Sequence, residues 1–311
     1  MTSVPAYLRL HQHKSLTRRV REALDLLRSC QVCPRSCKVN RLANETGNCR
    51  TGRWAMVSSY GAHLGEEAPL VGTHGSGTIF FTNCNLKCVF CQNFTISQLG
   101  EGSTVTKEGL ARIMLSLQQR GCHNINLVSP THVVPQILEA LEIAVSLGLR
   151  IPLVYNSGGY DSVETLKLLE GIVDIYMPDM KYSDDKTAQA LSGISDYPSI
   201  NRAAVKEMHR QVGDLQINEK GLAVRGLLIR HLVLPQGLAG TEDIVEFIAE
   251  ELSLNSYVNI MSQYRPCYKA FEIPALSRRV SEEEYLQAIQ QARQVGLHRL
   301  DGFYSLPVNA A

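Results

Sequence analysis

The chain has 311 residues, of which 44% are hydrophobic and 20% charged, with a formal net charge of +1; this is the profile of a folded globular protein, not of a disordered or strongly polyanion-binding one. No apolar run approaches the roughly 18 residues of a membrane span, and the first residues lack the apolar core of a secretory signal, so a cytoplasmic location is expected. Nine cysteines are many for such a chain; their odd number, and the grouping of seven at short spacing, argue for metal ligation in a reducing compartment rather than for disulfides.

The charge is unevenly spread. Residues 1–53 hold eleven Lys and Arg against three Asp and Glu, a net +8, which leaves −7 for the remainder. Attraction of this basic part to the protein's own acidic body is the favoured reading; nucleic acid is the weaker one, because the aromatic and basic interleaving of single-strand binders is missing.

Residues 1–14 have no clear period and read as a loose arm. From 15 to 28, Leu16, Val20, Ala23, Leu24 and Leu27 recur at helical spacing beneath a face of Arg18, Arg19, Arg21 and Arg28. Next come Cys30, Cys33 and Cys37, and after eleven residues Cys49, beside Gly47. Four thiols in two arms have the layout of a closed four-cysteine metal site, and both zinc and an auxiliary [4Fe–4S] cluster suit such a donor set. The stretch from 54 to 77 is glycine-rich and turn-like, with a short hairpin expected around 55–60 and a soft domain boundary near residue 72. The basic helix and four-cysteine segment then occupy 1–72, and the larger domain 73–311.

From Gly77 on, six apolar, β-branched or aromatic runs (78–81, 125–128, 151–155, 173–177, 227–234 and 257–261) are mostly separated by helical patterns over 110–117, 134–147, 161–169 and 241–252. Asp161 with Glu164, and Ser281 with Glu284, have the spacing of capping boxes, the second opening a last helix through Gln294. Strand and helix in alternation imply a parallel sheet with crossovers. Six units give a partial, TIM-like (β/α)6 barrel rather than the closed eight. The connection from 183 to 225 is longer and includes a helix over 201–212; it reads as a cover for the barrel's open side or a receiver of substrate, or as a plain surface excursion.

Directly after the first of these strands come Cys84, Cys88 and Cys91. Three thiolates on one tight loop can hold three irons of a [4Fe–4S] cube and leave the fourth free for another ligand; a zinc knuckle or a redox disulfide pair is the less favoured alternative. Other strand ends carry polar groups: Ser129, Thr131 and His132 after the second, Asn156 and Ser157 after the third, Asp179 and Lys181 after the fourth, Arg230 in the fifth and Gln263 after the sixth.

The Cys-x3-Cys-x2-Cys spacing, with Phe90 before the third cysteine, is similar to that of the radical S-adenosylmethionine (SAM) superfamily. The runs TIFFTNC at 78–84, DIYMPDMK at 174–181 and IRHLVLP at 229–235 resemble its pyruvate formate-lyase activating enzyme group. With Cys33-Pro34-Arg35 and NINLVSPTH at 124–132, the chain resembles the PflX-like branch over nearly its whole length. This implies a [4Fe–4S] cluster on Cys84, Cys88 and Cys91 that cleaves SAM reductively, the 5′-deoxyadenosyl radical then taking hydrogen from a protein or peptide substrate. An external reductant such as flavodoxin or ferredoxin is expected as a second partner. SAM needs donors for its carboxylate, acceptors for its amine and ribose hydroxyls, and a wall for its adenine. Lys181 or Arg230 is assigned to the carboxylate, Asp179 to an amine or hydroxyl, Asn156 and Ser157 to ribose, and Phe90 to adenine. Where better-known activases have a Gly-Gly-Glu-like turn, this chain has Ser129-Pro130-Thr131-His132, so Thr131 and His132 are expected to replace it. RNA or a small metabolite is the alternative substrate, and a non-catalytic iron–sulfur or zinc electron carrier or adaptor the alternative of another class.

Overall fold

A computed structural model describes residues 4–301. The strands are β1 (Ala55–His63), β2 (Ser76–Phe81), β3 (Ser103–Val105), β4 (Ile125–Val128), β5 (Leu153–Ser157), β6 (Ile175–Pro178), β7 (Gln216–Ile217), β8 (Ala223–Leu232), β9 (Tyr257–Met261) and β10 (Arg299–Leu300). They form one sheet in the order β10-β9-β8-β6-β5-β4-β2-β1-β3, with β7 beside β8. From β2 through β4, β5, β6, β8 and β9 all neighbours are parallel, and each strand lies next to its successor. This is the expected (β/α)6 partial barrel in a mixed α/β fold. The strand cores match the six apolar runs because strands buried on both faces read as continuous hydrophobic stretches.

Two edges were not foreseen. β1 is no hairpin; it runs antiparallel to both β2 and β3 and extends the sheet beyond its first parallel strand. β10 adds a further parallel strand on β9.

Helix Val134–Ser146 is apolar almost all round because it is covered on two sides, by Lys107–Gln119 and by Ser15–Asp25. Leu16, Val20 and Ala23 of the latter join the same apolar core as the strands; each fully buried Leu or Val contributes about 1.5–3 kcal/mol. The N-terminal arm is tied down as well. Residues Tyr7–Gln12 are helical, Tyr7 is fully buried with its hydroxyl donating to the Ile151 carbonyl at 2.8 Å, and the Ala6 amide donates to Asp174 at 2.8 Å.

The capping box at Ser281 is present, Glu284 returning the bond to the Ser281 amide. That at Asp161 is not: helix Val163–Leu168 has Ser162 as its cap, and Asp161 is turned inward. The long connection carries helix Tyr197–Val212, an ordinary crossover packed on β6 and β8, and a short helix, Asp185–Ser192, that abuts the cysteine loop.

Candidate functional site

The C-terminal ends of the parallel strands surround an open cleft of about 260 Å³, and Cys84, Cys88 and Cys91 are among the residues that line it. Their loop is held from several sides. Asn83 takes the left-handed conformation (φ 69°) that asparagine tolerates, and its amide donates to the Ile96 carbonyl. The Val89 amide bonds the Leu191 carbonyl at 2.9 Å, and the Val89 carbonyl accepts from the Lys269 amide at 2.9 Å. Polar hydrogens reach the sulfurs: Ser192 Oγ donates to Cys88 Sγ at 3.0 Å, Ser97 Oγ lies 3.0 Å from Cys91 Sγ, and the Leu86 amide donates to Cys84 Sγ at 3.4 Å.

Burial pushes the Cys84 thiol up to about 12, and burial together with Cys88 raises that of Cys91. Free thiols crowded in this way keep their protons at neutral pH, and a multivalent metal group that displaces them relieves both the burial and the mutual repulsion. Three sulfurs facing one cleft, with hydroxyl and amide hydrogens turned on them, fit the three-cysteine ligation of a [4Fe–4S] cluster with one open iron.

The same cleft is lined by a chain of charge. Asp179, just past β6, accepts from Lys181 Nζ at 2.5 Å and from Arg230 Nη2 at 2.8 Å. Burial alone would raise the Asp179 pKa, but the two cations override it and hold the carboxyl below its usual range. Lys181 shows the reverse balance: burial opposes its charge and Asp179 wins, raising it. Arg230 reaches on to the buried Glu67, 4.0 Å away. The backbone fixes this arrangement, since Asp179 and Arg230 are bridged in register and the Met180 amide donates to the Arg230 carbonyl at 2.8 Å. Gly159 lets the neighbouring loop approach: at φ 75°, a Cβ there would sit 2.1 Å from the Asp179 carbonyl oxygen.

Of the residues singled out in the sequence, the three cysteines, Phe90, Asn156, Ser157, Asp179, Lys181 and Arg230 all line the cleft. Phe90 is 5% exposed and packs edge-on against Tyr182 and Tyr264. Ser157 is already engaged, its hydroxyl donating to Asp161 at 2.7 Å. Thr131 and His132 lie elsewhere. Thr131 Oγ1 donates to the same Asp161, at 2.7 Å, as does the Tyr155 hydroxyl at 2.8 Å. His132 is buried with Nε2 donating to the Thr82 carbonyl at 3.0 Å. Burial, with Arg41 nearby, depresses its pKa to about 3, so it is neutral. From this turn Ser129 alone reaches the cleft, in a left-handed conformation (φ 57°). Ser97 and Ser192 at the sulfurs were not singled out; they are small polar residues in helical segments with no distinguishing spacing.

The other four cysteines, Cys30, Cys33, Cys37 and Cys49, line one small cavity of about 10 Å³. Burial, helped by the other three thiols and opposed by a bond from the Arg35 amide, pushes the Cys33 thiol up to about 12. Several arginines of the basic segment are bound to the body, as expected: Arg53 pairs with Glu139 at 2.7 Å, and Arg35 donates to the Asn85 carbonyl at 2.8 Å.

Comparison with known proteins agrees with this geometry. The model of the Radical SAM superfamily matches residues 78–248, more than half of the chain. A protein of Methanocaldococcus jannaschii, uncharacterized protein MJ0674, is 36% identical over 289 residues, covering 90% of this chain and 78% of its own. Among solved structures, the radical SAM methyltransferase TsrM of Kitasatospora setae superposes with a TM-score of 0.50 at 10% identity, over 75% of this chain and 54% of its own. A radical SAM methyltransferase from Sphaerobacter thermophilus gives 0.48 at 14% identity, over 71% and 64%. The chain thus spans less than two thirds of either solved structure. With the family match lying over the strands that carry Cys84, Cys88, Cys91, Asp179 and Arg230, the chain belongs to the radical SAM superfamily.

Proposed function

We propose that the chain is a glycyl-radical-activase-like enzyme of the PflX-like branch, acting on a protein or peptide substrate in a reducing, cytoplasmic compartment. When bound by Cys84, Cys88 and Cys91, a [4Fe–4S] cluster supplies the electron that splits SAM into methionine and a 5′-deoxyadenosyl radical. The protein's own residues bind, orient and shield. Ser192, Ser97 and the Leu86 amide donate to the ligand sulfurs and so stabilise their negative charge. Lys181 and Arg230 hold the carboxylate of SAM, Asp179 keeps both cations aimed and takes the amine, and Asn156 reaches the ribose. Phe90, pinned by Tyr182 and Tyr264, closes the apolar side. Asp161 is a positioning residue: it gathers Thr131, Tyr155 and Ser157 and so fixes the β4 and β5 ends that carry Ser129 and Asn156.

The observation that carries this reading is that three cysteines and the Lys181–Asp179–Arg230 group line one cleft. Anaerobic reconstitution, reduction by dithionite or a flavodoxin- or ferredoxin-class donor, and addition of SAM should yield 5′-deoxyadenosine. A fully loaded cluster that yields none refutes the enzyme in favour of an electron carrier or adaptor. The substrate class is read from deuterium: transfer into 5′-deoxyadenosine from labelled protein or peptide fractions supports the proposal, and transfer only from RNA or small metabolites overturns it.

A further inference from the structure

We infer that Tyr182 is a positioning residue for the metal centre of the cleft: acting through Ser192, it strengthens the hydrogen bond on the Cys88 sulfur and so raises the reduction potential of a cluster held there. The inference rests on the three-cysteine ligation in the proposed function and not on its substrate. Ser192 Oγ stands 3.0 Å from Cys88 Sγ and 2.7 Å from the Tyr182 hydroxyl. Tyr182 is 2% exposed and Ser192 is fully buried, so bulk solvent does not compete for either hydroxyl.

The direction of these bonds follows from valence. A cysteine that ligates iron is a thiolate, and its sulfur can only accept. Ser192 has a single hydroxyl hydrogen. Once that hydrogen goes to the sulfur, the Ser192 oxygen is left to accept, and the phenol of Tyr182, ordinarily protonated up to about pH 10, is the donor. Among the described residues the Tyr182 hydroxyl has no other hydrogen-bond partner. With the sulfur ligated, the chain therefore runs one way, from Tyr182 to Ser192 to Cys88. Each bond in such a chain polarises the next, which makes Ser192 a stronger donor than a lone serine. A stronger donor draws charge from the ligand sulfur and favours the reduced cluster.

Both hydroxyls are carried on anchored segments. The Tyr182 ring meets Phe90 at 6.4 Å and Tyr197 at 5.4 Å, edge-on in each case. Ser192 ends the helix Asp185–Ser192, and the Leu191 carbonyl beside it receives the Val89 amide of the cysteine loop at 2.9 Å. The stretch just past β6 thus serves two purposes: Asp179 and Lys181 line the cleft, while Tyr182 turns to the sulfur through Ser192. The step assisted is the uptake of one electron from a flavodoxin- or ferredoxin-class donor. No bond forms or breaks in it, and each hydroxyl keeps its own hydrogen.

The test is redox titration of the reconstituted protein, followed by the reduced-state spin signal that Cys88→Ala abolishes. Tyr182→Phe keeps the ring and its packing and removes only the hydroxyl. Its midpoint should be more negative than that of the wild type, by less than in Ser192→Ala, and it should add no shift in the Ser192→Ala background. An unchanged midpoint overturns the inference, as does an equal shift with the Ser192 hydroxyl absent, because the phenol then acts by packing. A 3-fluorotyrosine in place of Tyr182, a more acidic phenol and a stronger donor, should move the midpoint the other way. No shift, or the negative shift of a merely structural disturbance, overturns the inference even where Tyr182→Phe loads poorly. A wild-type chain that binds no cluster on Cys84, Cys88 and Cys91 sinks this inference with the reading it rests on. Midpoints that move as expected in a protein yielding no 5′-deoxyadenosine sink the proposed function alone.

Discussion

Asp179→Asn tests the electrostatics of the cleft most directly. The substitution keeps an acceptor for Arg230 but removes the negative charge that two cations share at 2.5 and 2.8 Å. Two unit charges about 4 Å apart at an effective dielectric of about 20 attract by on the order of 4 kcal/mol, so Lys181 loses the interaction that now outweighs its burial. Burial and Arg230 then both act to lower its pKa. The wild-type ammonium stays charged across the working range, whereas in the variant it sheds its proton as pH rises. SAM affinity should therefore be flat with pH in the wild type. In Asp179→Asn it should be weaker throughout and fall further with rising pH, by tenfold or more for a loss of about 1.4 kcal/mol. Equilibrium binding of SAM to the reconstituted protein, followed by the change in the cluster's spin signal, measures both. Wild-type affinity without a pH slope in the variant would refute the assignment of Lys181 to the SAM carboxylate.

Three other outcomes are expected. Ser192→Ala removes the hydroxyl 3.0 Å from Cys88 Sγ; the cluster should still assemble, but redox titration should find a more negative midpoint, since a donor to the ligand sulfur favours the reduced state. Asp174 is pushed up to about 6 by burial, against an ordinary value near 3.8. Between those values the unfolded carboxyl ionises while the folded one keeps its proton. Stability is therefore full below about pH 4 and falls by about 3 kcal/mol as pH rises to 6, at 1.36 kcal/mol per unit. Denaturant titration across this range should show the slope, and Asp174→Asn should abolish it. Tyr7→Phe leaves the buried Ile151 carbonyl without its hydroxyl donor and should cost about 1–3 kcal/mol in the same assay.

Much of the scaffold was legible because burial writes itself into composition. β4 and β9 lie where the apolar runs 125–128 and 257–261 place them, and the other four parallel strands overlap their runs. β1 was not legible as a sheet strand, since its pairing with β2 depends on residues 13 to 24 positions away and leaves no local period. The arm before residue 15 looked loose for the same reason: its docking, by the Tyr7 hydroxyl at Ile151, the Ala6 amide at Asp174 and the packing of Leu8 and Leu10, leaves no local period.

Within the cleft the split is sharper. Asp179, Lys181 and Arg230 could be named because a parallel barrel delivers the residues after its strands to one end, whatever their neighbours. Thr131 and His132 are likewise just past a strand, yet the turn at Ser129 sends them behind the cleft, one to Asp161 and the other to the wall of the four-cysteine cavity. Sequence distance from a strand end thus locates a residue along the barrel axis but not its azimuth, which here depends on one residue at positive φ. The same turn explains how a segment expected to contact SAM came to border the four-cysteine cavity. By carrying His132 away from the cleft, it gives Arg41 the buried His132 carbonyl as an anchor. That anchor holds the Arg41 guanidinium 3.8 Å from Cys30 Sγ.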